Sequence, residues 1–163
     1  MSPNRRIEAC RGCGGAPETV LDLGRRPRSD GLQPTRELAL NADRSPLELA
    51  LCRSCGLLQL LETPPPPALF GDEFRYYSSV NPDLVAHAER LAGELVARLG
   101  LGRNSRVVEL ASNDGYLLRH FARRGIPVLG VDPAPGPAAA AEAAGIETIP
   151  SFFDRELAER LRE

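Results

Sequence analysis

Four cysteines fall in two pairs, Cys10-Arg-Gly-Cys13-Gly14 and Cys52-Arg-Ser-Cys55-Gly56, with 38 residues between Cys13 and Cys52. This spacing restricts the fold more than any other feature of the chain. A C-x2-C turn brings two thiols to about one tetrahedral edge from each other, and backbone N–H groups of the turn stabilise their charge. Gly14 and Gly56 follow the second cysteine of each pair, where a tight turn commonly needs positive φ. Two such turns facing each other complete a tetrahedron of four thiolates at Cys10, Cys13, Cys52 and Cys55, which suits Zn2+. Two disulfides or a redox dithiol would use the same residues. A thioredoxin-type site, however, uses one C-x2-C between a strand and a helix, not two mirrored pairs. Four sulfur ligands leave no open position for water or substrate. The metal is therefore expected to be structural, folding a segment too small to build its own core.

Inside this segment, Val20-Leu21-Asp22-Leu23-Gly24 reads as a short strand and a turn. Pro46-Leu47-Glu48-Leu49-Ala50-Leu51 is an alternating strand leading into Cys52, and Leu57-Leu58-Gln59-Leu60-Leu61 is a further apolar strand. Together they predict a mostly-β, zinc-held module over residues 7–62. Pro64-Pro65-Pro66-Pro67 then predicts an extended polyproline stretch and a module boundary. The linker, 63–82, also contains Phe70, Phe74 and Tyr76-Tyr77-Ser78-Ser79. Such aromatics form either a hydrophobic clasp or a substrate-facing loop; their large buriable area favours the clasp.

Composition excludes several functions. The chain has 163 residues and 20 basic against 22 acidic side chains, a formal net charge of −2. No net positive field exists to gather nucleic acid or an anionic membrane surface. Hydrophobic content of 42% suffices for a globular core. No apolar run approaches the ~18 residues of a membrane span. Met1 to Arg6 are followed by no apolar segment, so no secretory signal is expected and cytoplasmic location is the default.

Asn81-Pro82-Asp83 is a helix start, with Asn as N-cap and Pro at the first helical position. Leu84, Ala88, Leu91, Leu95 and Leu99 recur at helical spacing until Gly100. His87, near the start of that helix, reads as a surface or structural residue rather than a base. Residues 106–111 predict a buried strand, Ser112-Asn113-Asp114-Gly115 a tight turn, and 116–122 a helix. A second strand ends at Val131-Asp132, an alanine-rich helix covers 137–144, and a third strand covers 145–149. This β-α-β-α-β order predicts a parallel sheet with right-handed crossovers.

A ligand of such a sheet sits beyond the carboxyl ends of the strands. Asp132 lies 17 residues after Gly115, where a carboxylate can hold two ribose hydroxyls. A dinucleotide fingerprint needs G-x-G-x-x-G, but here Ala111 and Asn113 stand where other glycines belong. Glu109-x-Ala111-x-Asn113-x-Gly115 is instead a degenerate E/D-x-G-x-G-x-G loop, in which Asn113 can supply the left-handed conformation of a glycine. An acid at Glu109 suits a cofactor that is cationic at sulfur better than it suits a pyrophosphate. A turn serving packing alone is the bland alternative.

In this order the chain resembles the S-adenosylmethionine-dependent sugar C-methyltransferases that carry an N-terminal zinc-binding domain. The matching pieces are Cys10-Arg-Gly-Cys13-Gly14, Val20-Leu-Asp-Leu-Gly24, Cys52-Arg-Ser-Cys55-Gly-Leu-Leu-Gln59, Tyr76-Tyr-Ser-Ser79, His87-Ala88, Glu109-Leu-Ala-Ser-Asn-Asp-Gly115-Tyr-Leu-Leu118, Leu129-Gly-Val-Asp132-Pro-Ala134, and Gly145-Ile146 leading to Phe152-Phe153. The resemblance implies a Rossmann-like class I methyltransferase domain beginning at residue 83. It implies S-adenosyl-L-methionine bound by Glu109, Ala111, Ser112, Asn113, Gly115, Asp132 and Pro133. The implied substrate is a nucleotide-linked keto-deoxysugar, deprotonated next to its ketone and methylated at carbon. Tyr76 matches the family's tyrosine near the sugar, which raises the substrate-loop reading and makes Tyr76 the candidate catalytic residue.

The same resemblance implies seven strands, whereas 83–163 holds three. The chain is thus expected to be the N-terminal portion of such an enzyme, inactive alone, with a complementary C-terminal polypeptide as a possible partner. An open sheet edge and an uncovered apolar face should follow. Two other readings remain open: a zinc-bound module for protein or nucleic-acid interaction, and a fragment of an NAD(P)-binding oxidoreductase. Arg25, Arg26 and Arg28 have few aromatics among them, which leaves base stacking unsupported.

Overall fold

A computed structural model describes residues 4–29, 31–72 and 74–162. They form a mixed α/β chain in two compact units, 1–70 and 71–163. The 71–82 stretch, which the sequence places in a linker, is grouped with the second unit. Among the described residues no helix is long and apolar enough to cross a membrane.

The first unit contains β1 (Arg5–Arg6), β2 (Pro17–Pro27), α1 (Arg36–Leu40), β3 (Arg44–Cys52), β4 (Leu58–Leu60), β5 (Glu62–Thr63) and α2 (Pro66–Leu69). β2, β3 and β4 form one antiparallel sheet in that order, and β1 pairs with β5. The expected turn at Gly24 is instead a bulge within one 11-residue strand. The register slips between Asp22 and Arg25, Gly24 adopts φ 69°, and its N–H donates to Asp22 Oδ1 at 2.7 Å. The extended polyproline reading also fails in part. Pro66 and Pro67 open the short helix α2, since proline's fixed φ and missing N–H are tolerated in a first helical turn.

The second unit contains a 3-10 turn (Ser78–Val80), α3 (Pro82–Leu99), β6 (Val107–Leu110), α4 (Leu118–Ala122), β7 (Val128–Val131), α5 (Pro135–Ala143), β8 (Thr148–Ile149) and α6 (Arg155–Arg160). α3 starts and stops as its sequence dictates. Asn81 Oδ1 accepts from the N–H groups of Asp83 and Leu84, and Gly100 closes the helix in the left-handed region. β6, β7 and β8 form a parallel sheet in chain order, with Val107 opposite Val128 and Leu110 opposite Val131.

Two apolar clusters share Val107 and Val128. One joins Ala92 of α3 to Phe121 and Ile126; the other joins Leu118 of α4 to Ala141 of α5 and Ile146. β6 is not the fully buried strand expected. It lies at an edge of the three-stranded sheet, and Val108 and Leu110, on one face, are 45% and 48% exposed. α4 begins two residues later than expected because 116–117 continue the turn.

Candidate functional site

The two C-x2-C units fold into the same knuckle twice. Cys10 N–H donates to Gly15 O at 2.7 Å, and Gly14 N–H returns to Cys10 O at 2.9 Å. In the second, Cys52 N–H donates to Leu57 O at 3.0 Å, and Gly56 N–H returns to Cys52 O at 2.8 Å. Gly14 and Gly56 take φ 76° and 75°. Each reversal requires this left-handed region, which a side chain would oppose. The knuckles bring Cys10, Cys13, Cys52 and Cys55 together with all four sulfurs within 4.8 Å of one another.

The donor set fits zinc. A tetrahedral site with Zn–S of about 2.3 Å has sulfur–sulfur edges of about 3.8 Å. Cys10 and Cys55 are 3.7 Å apart and Cys13 and Cys52 3.5 Å apart. The Cys13 backbone N–H, with that of Gly12, draws the Cys10 thiol down to about 6. The Leu57 N–H lowers Cys55, but the other thiols and burial together push it up to about 12. Thiols this crowded cannot all ionise without a cation among them.

Gln59 supports this centre from behind. It is 8% exposed, its Oε1 accepts from Arg11 N–H at 3.1 Å, and its Nε2 is buried with no hydrogen-bond partner. Its carboxamide also lowers the Cys10 thiol. In the sequence Gln59 stands only as the end of the second cysteine motif, with no role at the metal centre assigned to it. The available signal was one polar side chain in the run Leu57-Leu58-Gln59-Leu60-Leu61.

In the second unit, β6 delivers Glu109 and the turn that follows. Ala111, Asn113 and Gly115 adopt φ 59°, 51° and 72°. Among the described residues, Ala111 and Asn113 are the only non-glycine residues at positive φ. The alternate positions of a glycine-rich loop are thus left-handed here, two of them against the preference of a side chain. Asp132 stabilises the turn. Its Oδ2 accepts from Asn113 N–H at 2.8 Å and its Oδ1 from Ala134 N–H at 2.9 Å. Gly130 on β7 makes room for Ser112, because a Cβ there would stand 2.5 Å from Ser112 Oγ and 2.8 Å from Thr148 Oγ1.

The turn gathers negative charge. Burial, and then Asp132 and Asp114, push the Glu109 carboxyl up to about 7. Glu109 Oε2, Asp114 Oδ1 and Ser112 Oγ are buried without hydrogen-bond partners. Carboxylates in this state call for a cation and disfavour a pyrophosphate. The set fits the cationic cofactor expected from the sequence.

Tyr76, 44% exposed, lies beside this turn, with Phe74 edge-on at 6.5 Å between ring centroids. Asn113 Nδ2 donates to Tyr76 O at 3.1 Å, and Asn113 Oδ1 accepts from Ser78 N–H at 2.8 Å. Asp114 Oδ2 accepts from Ser79 N–H at 3.1 Å. Tyr116 joins the group. Burial, Glu109, Tyr76 and Asp114 all raise its phenol above the ordinary value. The structure therefore brings together Tyr76, Glu109, Ala111, Ser112, Asn113, Gly115 and Asp132, with Pro133 next in the chain. His87 is exposed on α3. Asp114 and Tyr116 lie in the matching motif, but the E-x-G-x-G-x-G pattern leaves their positions unspecified and gave neither an individual role.

Residues 10–70 match a protein-family model described as "Putative zinc binding domain". C-methyltransferase NovU of Streptomyces niveus is 35% identical over 158 residues, 96% of this chain. The chain spans 37% of that relative's length. A solved structure of a SAM dependent methyltransferase from Archaeoglobus fulgidus is 20% identical, covering 46% of this chain and 32% of that one, at a TM-score of 0.32. The chain resembles the N-terminal part of the C-methyltransferases that carry an N-terminal zinc-binding domain.

Proposed function

We propose that this chain is the N-terminal part of an S-adenosylmethionine-dependent C-methyltransferase acting on a nucleotide-linked keto-deoxysugar, and that 83–163 is the start of a Rossmann-like class I domain. The observation that carries this reading is the turn at 111–115. Three alternate left-handed residues stand at the carboxyl end of a parallel strand, ringed by Glu109, Asp114 and Asp132. The 35% identity to a C-methyltransferase supports it.

When bound, S-adenosylmethionine supplies an electrophilic methyl group. Glu109, with a buried unpartnered oxygen, would hold the cationic end of the cofactor. Asp132 keeps the turn open through two backbone bonds and retains lone pairs for ribose hydroxyls. An acceptor carbon beside a ketone must lose a proton, and the enolate oxygen must be held. The half-exposed phenol of Tyr76 is the group proposed to meet the acceptor. Turnover is proposed for these residues together with a complementary segment, not for residues 1–163 alone; methylation of a keto-sugar nucleotide by the isolated chain would refute that part.

Calorimetry on the zinc-loaded chain with S-adenosylhomocysteine, NAD and a short oligonucleotide tests the cofactor assignment. Binding of the first alone is expected. Binding of NAD, or of the oligonucleotide without S-adenosylhomocysteine, would overturn it.

A further inference from the structure

The segment carrying Tyr76 is held to the cofactor turn by more than its own aromatics. Asn113 occupies a left-handed position that a glycine would take without strain. Its side chain is what a glycine would lack, and both ends of it are used. Oδ1 accepts from Ser78 N–H and Nδ2 donates to Tyr76 O, so one carboxamide grips the segment on both sides of Tyr77. Asp114 Oδ2 adds a bond to Ser79 N–H. Ser78 and Asn113 are 6% and 7% exposed, so water competes little for these bonds.

The other side of the segment rests on the second strand's turn. A Cβ built at Gly136 would stand 2.6 Å from the Tyr77 hydroxyl. Gly136 is the second residue of α5, and its lack of a side chain lets Tyr77 sit against the helix backbone. The segment thus bridges the turns at the carboxyl ends of β6 and β7, which border the ligand crevice of an open parallel sheet.

We propose that Asn113 is a positioning residue that locks 76–79 to the cofactor turn, so that filling the turn and fixing Tyr76 are coupled. The coupled part rests on the cofactor reading above. Because binding linkage is reciprocal, a ligand filling the turn and an acceptor held by the segment would raise each other's affinity by the same factor. Asparagine in place of glycine thus joins the cofactor and acceptor sides of the site.

Amide exchange at Ser78 and Ser79 in the full zinc-loaded chain tests this. In the wild-type chain both amides should exchange far more slowly than the amide of Leu32, an exposed residue outside any helix or strand. Free exchange at Ser78 overturns the lock, whatever any variant does. Asn113→Gly keeps the left-handed backbone and removes the grip. It should speed Ser78 exchange by about tenfold, the worth of one hydrogen bond, while Leu129 and Val131 on the sheet stay protected. Unchanged Ser78 exchange with an intact sheet also overturns the lock. Saturating S-adenosylhomocysteine should slow Ser78 exchange further in the wild type and leave Asn113→Gly unmoved. Binding seen by calorimetry with no change at Ser78 overturns the coupling. Failure of S-adenosylhomocysteine to bind overturns the cofactor reading, and the ligand-free exchange still decides the lock.

Discussion

Among the described residues of the first unit, the buried apolar side chains are Cys10, Ala50, Cys52 and Leu61, and two of these four are thiols of the metal centre. Residues 71–163 bury Leu118, Phe121, Ile126, Leu129, Val131, Ile146 and a set of alanines on α3 and α5. The first unit leaves Val20, Leu21 and Leu23 of its longest strand exposed. Its sheet is therefore pinned at the Cys10–Cys13 and Cys52–Cys55 knuckles and has little apolar core to fall back on. The second unit is held by packing, which lets it carry unpartnered carboxylates and two strained non-glycine residues in one turn. Cohesion comes from a metal centre in one unit and from a core in the other, and the unit with the core holds the candidate reactive groups.

The largest effect that can break this comparison is metal removal. Zinc binding in such a site is folding free energy, so a chelator should unfold the first unit. Exchange of the Ala50 and Cys52 amides on β3 should accelerate at least roughly a thousandfold, while Leu129 and Val131 on β7 stay protected. Cys52→Ser should do the same without a chelator. Retained protection at Ala50 in zinc-free protein would show that the β2-β3-β4 sheet stands on its own packing.

How well each unit could be read from sequence follows the same division. The knuckles were legible because metal chemistry fixes residue type and spacing together, and two mirrored Cys-x2-Cys-Gly units fit four thiolates around one ion better than a single redox dithiol. α3 was legible because Asn81, Pro82 and Gly100 are local signals that act on the helix they bound. Gly24 misled because one glycine at positive φ serves a turn or a bulge equally, and only the pairing of Asp22 with Glu48 and Arg25 with Pro46 decides. Pro66 and Pro67 misled for a related reason, since proline's φ fits a polyproline stretch and a first helical turn alike. Ala111 and Asn113 were legible as members of a degenerate loop. The grip of Asn113 on Tyr76 and Ser78 was not, because it joins residues 35 or more positions apart, and no local pattern records it.

A middle-sized effect should come from Glu109. Its carboxyl is raised from 4.5 to about 7, mainly by burial and then by Asp132 and Asp114. The folded state therefore holds a proton there that the unfolded state releases. That contribution to stability is complete below pH 4.5 and is lost as pH rises through about 7. Glu109→Gln should remove the slope and stabilise the second unit at pH 8 by roughly 2–3 kcal/mol. Urea titrations followed at Leu129 and Val131 measure it, with Ala50 as the control in the first unit. A parallel shift in both units would mean that the charge strain is not confined to the turn.

The smallest effect probes the first unit at its one buried amide side chain beside the thiols. Gln59 Nε2 has no hydrogen-bond partner, its Oε1 is taken by Arg11 N–H, and its carboxamide acts on Cys10. An amide N–H facing a sulfur that becomes a metal ligand disperses the thiolate's charge and holds the ligand in place. Gln59→Leu keeps the apolar strand and removes both functions. Zinc affinity, read by competition with a chromophoric chelator, should fall about tenfold, the lower end of what loss of a supporting residue costs. Gln59→Glu keeps the acceptor for Arg11 but brings a carboxylate to bear on the Cys10 sulfur, so affinity should fall further. Equal losses in the two variants would assign Gln59 to packing. A larger loss for the glutamate would assign it to the charge of the metal centre, and the first unit would then depend on that centre even where a side chain is buried.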